Sequence, residues 1–332
     1  MTVPHSRLLA FGSAFPERVL SNHELASRMN TSDAWIRERT GIEQRRQLAE
    51  GQNNSDIAVA AAQAVIARAG LAATDIDLVL ACTNTPDRWL PCLGAAVSAR
   101  LSLRPGVPAY DIVTACAGWL AGLQTADALV RSGHYRHVLV IGSEALTRFV
   151  DWSDRNTCVL FGDGAGATIV GPAMAGDLGR LIDVRLHSDG GHGDIMQLPA
   201  GGTAMPTTPQ AAAQRLNCIH MDGREVYAQA VRAMVEVSNE VLARNGLQVG
   251  DVDWFVPHQA NLRIIQAVAR RLGMPDERVA TNVHKYGNTS TATIPTCLDE
   301  YIGDGRIRAG QLVLMTAFGG GLTWASALMR WE

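Results

Sequence analysis

Three side chains that could act together in acyl transfer stand far apart in the sequence: Cys116, His258 and Asn288. Cys116 follows an apolar, β-branched stretch and precedes AGWLAGLQTADALVRSG, an alanine- and leucine-rich segment that predicts a buried helix. The N-terminus of a helix has unpaired N–H groups and the positive end of the dipole, so we expect a thiol there to have a lowered pKa. The alternative is a small core residue, because free cysteine is among the most buried types.

His258 and Asn288 indicate a function only when they are considered together with Cys116. His258 stands in VPHQANLRII, directly after a proline that ends an apolar strand pattern, and Asn288 stands in YGNTSTATIP, ahead of a predicted helix. Considered singly, His258 could be a buried structural histidine and Asn288 could be a helix N-cap. Taken with Cys116, they suit acyl chemistry: a thiolate can hold an acyl group as a thioester, and imidazole and carboxamide N–H groups can stabilise an enolate oxygen. Such an enolate forms when a malonyl thioester loses carbon dioxide.

The chain contains an internal repeat. ARAGLAATDIDLVLACTNT, from Ala67, resembles ARNGLQVGDVDWFVPHQAN, from Ala243, 176 residues later. Tyr110 and Tyr286 are also 176 residues apart, HVLVIGSEA resembles QLVLMTAFG, and FGDGAGATIV resembles FGGGLTWASALM, all in the same order. A series of matches in one order indicates that one structural unit occurs twice.

The repeat predicts two related α/β halves, residues 1–175 and 176–332. In each half a helical pattern ends at a glycine, Gly70 or Gly246, and an apolar run that reads as a buried strand follows. Alternation of strands and helices predicts a mostly parallel sheet covered by helices in each half.

Ligands of such sheets bind beyond the carboxyl ends of the strands. In the repeat those ends hold Cys82, Cys116, His258 and Asn288, with Cys116 and Asn288 on related strand-to-helix turns. Two related halves would bring these turns into one cleft.

Composition narrows the class of protein. The 332 residues are 47% hydrophobic and 18% charged, with a net charge of -3, which is typical of a globular protein and argues against nucleic acid or a membrane surface as the partner. The N-terminal segment lacks the apolar core of a signal peptide. Six cysteines are scattered without a CxxC pair, which disfavours disulfides and structural zinc and favours the reduced thiols of a cytoplasmic protein.

The sequence resembles the β-ketoacyl-acyl-carrier-protein synthase III family of the thiolase superfamily. The segments TSDAWIRERTGI, ACAG, DRNTCVLFGDGAGA, VPHQANLRII, YGNTSTATIP and AFGGGLTWASALMRW match the family's pattern in its order, from residue 31 to the end. The resemblance implies an α/β, thiolase-like five-layered αβαβα fold from two related halves, usually as a homodimer. It also implies a catalytic triad of Cys116, His258 and Asn288.

The implied reaction is a decarboxylating Claisen condensation that initiates fatty acid synthesis. An acyl-CoA starter is held as a thioester on Cys116 and condensed with malonyl-acyl carrier protein to give a 3-oxoacyl-acyl carrier protein. Acyl-CoA is then a substrate, and the family's reaction uses no cofactor and no metal.

Motif positions carry further roles from the family. The residues concerned are Trp35, Arg39, Arg155 and Asn261 for coenzyme A, Arg263 for docking the carrier protein, the amides of Cys116 and Gly320 for the oxyanion, Phe318 for excluding water, and Leu90, Trp119, Met221 and Tyr227 for the acyl pocket. Trp119 replaces a common phenylalanine, and Leu90 replaces an aromatic residue contributed by the partner subunit. The acyl length is therefore open.

Three alternatives remain at this point. One is a non-decarboxylating acyltransferase, one is a condensing enzyme of a specialised polyketide-type pathway, and one is a binding protein without activity. The retained His258 and Asn288 favour condensation, because plain acyl transfer has no enolate to stabilise. A degradative thiolase would need a second cysteine in AFGGG, and that segment has none. The stretch HSDGGHGD, with His187 and His192, suits a polar loop better than a metal site.

Overall fold

A computed structural model describes residues 5–174, 177 and 179–331 of the chain. The strands are β1 (His5–Ala14), β2 (Val19–Ser21), β3 (Gln44–Arg46), β4 (Leu78–Cys82), β5 (Ala109–Ile112), β6 (Val138–Ala145), β7 (Asp163–Ala173), β8 (Arg180–Ser188), β9 (Met196–Gln197), β10 (His220–Met221), β11 (Trp254–Pro257), β12 (Gln311–Gly319) and β13 (Thr323–Trp331). The α-helices are α1 (Asn22–Arg28), α2 (Asp33–Thr40), α3 (Asn54–Arg68), α4 (Leu93–Arg100), α5 (Gly118–Arg131), α6 (Arg155–Cys158), α7 (Pro209–Ala213), α8 (Gly223–Arg244), α9 (Leu262–Leu272), α10 (Val283–Tyr286) and α11 (Thr293–Gly303).

Nine of the described strands form one mixed sheet in the order β11-β12-β13-β8-β1-β7-β6-β4-β5. Parallel pairing is confined to its two ends, where β4 pairs with β5 and β6, and β11 pairs with β12. The expectation of a mostly parallel sheet is therefore wrong, because β12 and β13 are joined by only three residues, and a parallel pair needs a crossover of a dozen or more.

The five-layered thiolase-like arrangement expected from the resemblance is confirmed. Helices α5 and α11 form the middle layer, and α5 contacts strands of both ends of the sheet, including β6 and β8. Helices α3 and α4 cover the outer face of β4, β5 and their neighbours, while α8 covers β12 and β13 and packs on α9. The sheet can enclose α5 because β1 and β8 pair through only two residue pairs, so its two ends diverge there.

The repeated sequence has repeated local structure. Helices α3 and α8 are each followed by a glycine with φ of +66°, Gly70 and Gly246, and then by the buried strands β4 and β11. Short 3₁₀ turns at 115–117 and 290–292 lead directly into α5 and α11. The division into halves at residues 175 and 176 lies outside the described residues and stays a prediction.

Arg45 has no exposed surface, and its guanidinium connects three segments of the chain by hydrogen bonds. Its guanidinium donates to the carbonyl of Leu20 at 3.2 Å, to Asn22 Oδ1 at 2.8 Å and to the carbonyl of Val159 at 2.6 Å. Burial lowers its pKa to about 10, which still leaves it charged at neutral pH. The cation therefore satisfies acceptors of β2, α1 and the segment after α6.

We expect Arg45→Ala to lower the free energy of unfolding by about 3 kcal/mol or more, because three buried acceptors lose their donors at about 1–3 kcal/mol each. Chemical denaturation measures the change. The exposed Arg88 is the control, since Arg88→Ala should shift stability by less than about 0.5 kcal/mol. Equal stability of the two variants would contradict the role given to Arg45.

Candidate active site

A cavity of about 590 Å³ opens between the middle layer and the segment containing α8 and α9. Cys116, His258 and Asn288 all line it, although at least 30 residues of chain separate any two of them. Cys116 comes from the turn before α5, His258 from the end of β11, and Asn288 from the loop between α10 and α11. The structure thus brings together the three residues that the sequence singled out.

Cys116 lies in the 3₁₀ turn at 115–117, two residues before α5 begins at Gly118. The preceding Ala115 has a φ of +46°, and the strand β12 packs so closely on this turn that a Cβ on Gly319 would lie 2.4 Å from the Cys116 nitrogen. Burial raises the pKa of the Cys116 thiol to about 12. This direction is opposite to the lowering expected at a helix end, because burial of the sulfur has the largest effect on the pKa of this thiol.

His258 is 3% exposed, and burial lowers its pKa to about 3, so the imidazole is neutral. Its Nδ1 lies 2.7 Å from the hydroxyl of Thr293, whose oxygen also lies 2.9 Å from the carbonyl of Ser290. A hydroxyl has one hydrogen, so Nε2 carries a proton only when Thr293 donates to Nδ1 and not to Ser290. Thr293 therefore controls whether His258 can donate to an oxygen in the cavity.

Asn288 is held at both its backbone and its side chain. Its N–H donates to the carbonyl of Leu160 at 2.8 Å, and its carbonyl accepts from Gly162 at 3.0 Å. The side-chain Oδ1 accepts from the N–H of Ser290 at 2.8 Å, which leaves Nδ2 as the part of the amide that can bind a ligand. The short helix α10 precedes Asn288 where a strand was expected, and Asn288 instead forms an isolated β-bridge to Phe161.

Two guanidinium groups lie against one indole at the cavity mouth. The guanidinium carbons of Arg39 and Arg155 lie 5.4 and 4.8 Å from the ring centre of Trp35. Asn261 caps α9, because its Oδ1 accepts from the N–H of Arg263 at 2.8 Å, and its Nδ2 donates to the carbonyl of Arg39 at 3.2 Å. All of these residues except Arg155 line the cavity, and Arg263 is exposed there.

The residues expected at the acyl pocket divide into two groups. Met221 and Tyr227 line the cavity. Trp119 does not, because it is 1% exposed and packs in the middle layer with its ring centre 6.4 Å from that of Phe11. Leu90 is 86% exposed on the surface of its own chain and is also absent from the wall.

The wall contains residues that sequence reasoning did not find. Phe318, which the family resemblance implied as a site residue, lines the cavity and is 4% exposed. Gly320, two residues later, lies close to Met196, since a Cβ on Gly320 would be 3.1 Å from the Met196 carbonyl. The additional apolar wall residues are Val159, Leu160, Phe161, Ala260, Ile264, Met196, Val226, Ala230 and Met234. Val226, Ala230 and Met234 recur every four residues along α8, and this spacing was a usable signal for one helix face.

Other sequence signals lie elsewhere. His187 bonds to Glu240 at 2.6 Å and His192 to Asp189 at 3.0 Å, so the two histidines have separate partners. Across residues 5–174, 177 and 179–331, no group of three or more His, Cys, Asp and Glu side chains is placed to hold a metal ion.

Cys82 at the end of β4 is fully buried and lies outside the cavity wall. The glycine-rich stretch FGDGAG leads into strand β7, which begins at its Asp163. Within the described residues, no helix has the length and apolarity to cross a bilayer.

Comparison with known proteins gives one consistent family. Family profiles described as 3-oxoacyl-[acyl-carrier-protein] synthase III, and as its C-terminal part, match residues 110–190 and 242–331. A β-ketoacyl-[acyl-carrier-protein] synthase III of Roseiflexus castenholzii is 46% identical over 325 residues, covering 98% of each chain. The crystal structure of the synthase III of Aquifex aeolicus superposes with a TM-score of 0.90 at 40% identity, over 98% of this chain and 100% of that one. The priming β-ketosynthase of a polyketide biosynthetic pathway superposes with a TM-score of 0.89 at 35% identity, over 98% and 96% of the two chains.

We expect Asn288→Ala to slow the release of carbon dioxide from a malonyl thioester by about 10²–10³-fold, the usual effect of losing one donor to a developing oxyanion. Asn288→Asp should lose as much, because it keeps the acceptor for Ser290 but has no N–H to donate. Labelled carbon dioxide measures the rate. Acylation of Cys116 by acyl-CoA is the internal control and should be unchanged; carbon dioxide release at the wild-type rate would contradict the role of Asn288.

Proposed function

The chain belongs to the 3-oxoacyl-[acyl-carrier-protein] synthase III family, and we propose that it joins an acyl-CoA starter to malonyl-acyl carrier protein, with loss of carbon dioxide, to initiate fatty acid synthesis. The protein is an acyltransferase of the condensing type. The observation that carries the residue assignment is the convergence of Cys116, His258 and Asn288 on one cavity wall.

In the first half-reaction the Cys116 sulfur attacks the acyl-CoA thioester. The carbonyl oxygen becomes negative in the tetrahedral intermediate, and the amides of Cys116 and Gly320 stabilise it in this proposal. Coenzyme A leaves, and the acyl group stays on Cys116 as a thioester. The amides are rigidly placed, because β12 packs directly on the 115–117 turn.

In the second half-reaction the malonyl group loses carbon dioxide and leaves an enolate. His258 and Asn288 donate to its oxygen, and His258 can do so once the Thr293 hydroxyl turns from the Ser290 carbonyl to Nδ1 and the imidazole proton stands on Nε2. The neutral state of the imidazole suits this role, since a neutral donor does not protonate the enolate. The enolate carbon attacks the Cys116 thioester, and the 3-oxoacyl product leaves on the carrier protein. Phe318 helps to exclude water from this step, in keeping with its near-complete burial.

The cavity mouth suits a phosphorylated, extended ligand. In the proposal Trp35 stacks on the adenine of coenzyme A between Arg39 and Arg155, since an aromatic face that attracts two guanidinium groups also accepts a base. Asn261 contacts the pantetheine, while Met221 and Tyr227 line its path or that of the acyl chain. Arg263 is exposed at the mouth and binds acidic groups of the carrier protein.

A homodimer is part of the proposal. Strand β5 is an edge of the large sheet, and apolar side chains are exposed on it or near it: Tyr110, Val113, Trp89 and Leu90. An exposed sheet edge beside an apolar patch is a typical protein interface. A second copy bound here would cover Leu90 and direct it toward the neighbouring subunit's cavity. We place the enzyme in the cytoplasm, where its six free thiols would stay reduced.

A specialised polyketide-type pathway is the second candidate. The 35% identity to a priming β-ketosynthase supports it, because that relative is similar over nearly the whole chain. Both candidates have the same bond-forming chemistry and differ in the starter and the carrier protein. The exposed position of Leu90 and the buried position of Trp119 leave the starter to be found by experiment.

Incubation with a panel of acyl-CoA thioesters should add one acyl group to Cys116, and intact-protein and peptide mass spectrometry should locate it. With malonyl-acyl carrier protein the acylated enzyme should then release carbon dioxide and a 3-oxoacyl-acyl carrier protein. Cys116→Ala should accept no acyl group, whereas Cys218→Ala, at a buried cysteine outside the cavity, should behave as wild type. If Cys116 is acylated but no 3-oxoacyl-acyl carrier protein forms, the proposed condensation is contradicted and the protein is a non-decarboxylating acyltransferase.

We expect Arg263→Glu to raise KM for malonyl-acyl carrier protein by about tenfold or more, with little change in the acylation rate with acyl-CoA, because reversal of a charge at the mouth weakens the approach of an acidic partner. Raising the salt concentration should reduce the difference between variant and wild type. Arg308→Glu is the matched control, since Arg308 lies at the other end of β12 from the cavity. Equal KM values of Arg263→Glu and Arg308→Glu would contradict a role of Arg263 in binding the carrier protein.

A further inference from the structure

Gln259, which follows the end of β11, has a carboxamide whose hydrogen-bonding positions are all used, and it is 1% exposed. Its Nε2 donates to the carbonyl of Pro257 at 2.7 Å and to the carbonyl of Ala280 at 3.2 Å. Its Oε1 accepts from the N–H of Asn282 at 2.9 Å and from the N–H of Val283 at 3.3 Å. A carboxamide has two N–H donors and two lone pairs on its oxygen, so these four partners satisfy it completely.

The carboxamide acts as an additional peptide group between β11 and the segment beside it. β11 is an edge strand of the large sheet, and on its free side Phe255 forms an isolated parallel bridge with Val279. The N–H of Ala280 donates to the carbonyl of Phe255 at 2.8 Å. The chain then turns into α10, and the Gln259 side chain continues the contact with one bond to β11 and three to residues 280–283.

Two of these bonds hold the start of α10. The first N–H groups of a helix have no partner inside the helix, and the N-cap residue Asn282 forms no cap bond with its own side chain. Asn282 and Val283 are 2% and 1% exposed, so water does not replace an acceptor easily. Loss of the Gln259 oxygen would leave both N–H groups buried without it, and the start of α10 would have to shift to find another acceptor.

The bonds of Gln259 connect the segments that contain the two enolate donors. His258 precedes Gln259 and is attached to β12 by its N–H, which donates to the carbonyl of Thr316 at 2.8 Å. Asn288 stands two residues after the end of α10. Cys116 is placed differently, by the turn at 115–117 and the close packing of β12 on that turn, and all four bonds of Gln259 go to other segments.

We propose that Gln259 is a positioning residue that fixes His258 and Asn288 relative to each other, and so sets the rate of malonyl decarboxylation without affecting acylation of Cys116. This inference rests on the proposed function and deepens its second half-reaction. An enolate oxygen must accept from both donors at once, and a hydrogen bond weakens steeply when its distance or angle departs from the optimum. Acylation needs only the thiol and the amides near it.

The test separates the two half-reactions. Gln259→Met keeps the length of the side chain and removes its four hydrogen bonds. The enzyme is first acylated with the acyl-CoA that modifies Cys116 fastest and is then mixed with malonyl-acyl carrier protein. We expect carbon dioxide release about 10²-fold slower than in wild type, the usual cost of misplacing a reacting group by about 1 Å. KM for malonyl-acyl carrier protein and the rate of acylation should each stay within about twofold of wild type.

Gln259→Asn is a milder variant that decides the matter if Gln259→Met does not fold. It keeps a carboxamide in the buried position but is one methylene shorter, so it cannot bond to β11 and to the start of α10 at the same time. Carbon dioxide release should fall by about tenfold, with acylation again close to wild type.

Gln124→Met is the matched control. Gln124 is a partly buried glutamine of α5 whose Nε2 donates to the carbonyl of Val184 at 3.1 Å, and it lies outside the cavity wall. The substitution is the same and also removes a long-range hydrogen bond. Both half-reactions should run at wild-type rates, because this bond connects neither His258 nor Asn288 to another segment.

A double variant gives a readout that a merely structural role would not produce. The relative position of two donors matters only while both are present, so Gln259→Met should slow carbon dioxide release by about twofold or less when it is added to Asn288→Ala. A residue that acts on the fold in general would have the same effect in both backgrounds.

Three outcomes would overturn the role of Gln259 and leave the proposed function intact. These are carbon dioxide release at the wild-type rate in Gln259→Asn, loss of acylation in proportion to decarboxylation in either variant of Gln259, and additive losses in the double variant. Failure of the proposed function is a different result, since the wild-type protein itself would then neither acylate Cys116 nor release carbon dioxide from malonyl-acyl carrier protein.

Discussion

The site depends on one turn, residues 288–293, in which Ser290 has a φ of +49°. This left-handed conformation points the Ser290 N–H at Asn288 Oδ1 and its carbonyl at the Thr293 hydroxyl, which in turn contacts His258. The side chains of Asn288 and His258 are thus both positioned through one residue's backbone. A non-glycine residue in this region costs free energy, which persists only where the surroundings impose it.

The surroundings that impose the turn are close backbone packings. Asn288 is bonded on both sides to the segment 160–162, and a Cβ on Gly142 would lie 2.3 Å from the Thr291 carbonyl. Only glycine at position 142 allows β6 to pass so near the turn. The equivalent turn of the first repeat, at Ala115, is pressed in the same way by Gly319 at the end of β12. The turn at 288–293 is therefore constrained by β6 and the turn at 115–117 by β12, and neither strand contains Cys116, His258 or Asn288.

Enclosure explains the ionisation states of the site. Removing water raises the pKa of the Cys116 thiol and lowers that of His258, so both are neutral. A neutral imidazole suits a donor to an enolate, but a neutral thiol is a weak nucleophile. The enclosure that would keep water from an enolate in the proposed function therefore also keeps Cys116 in its thiol form at neutral pH.

The sequence by itself determined the repeat, the helices α3, α5 and α8, the strands β4 and β11, and the identities of Cys116, His258 and Asn288, because periodicity, caps and motifs are local properties. Tertiary structure decided the mixed sheet, the burial of Trp119, the exposure of Leu90 and the raised pKa of Cys116. It also decided that the Thr293 hydroxyl, 35 residues after His258, lies 2.7 Å from the imidazole Nδ1. Desolvation and long-range contacts depend on which distant segments exclude water from a side chain, and no local pattern encodes that.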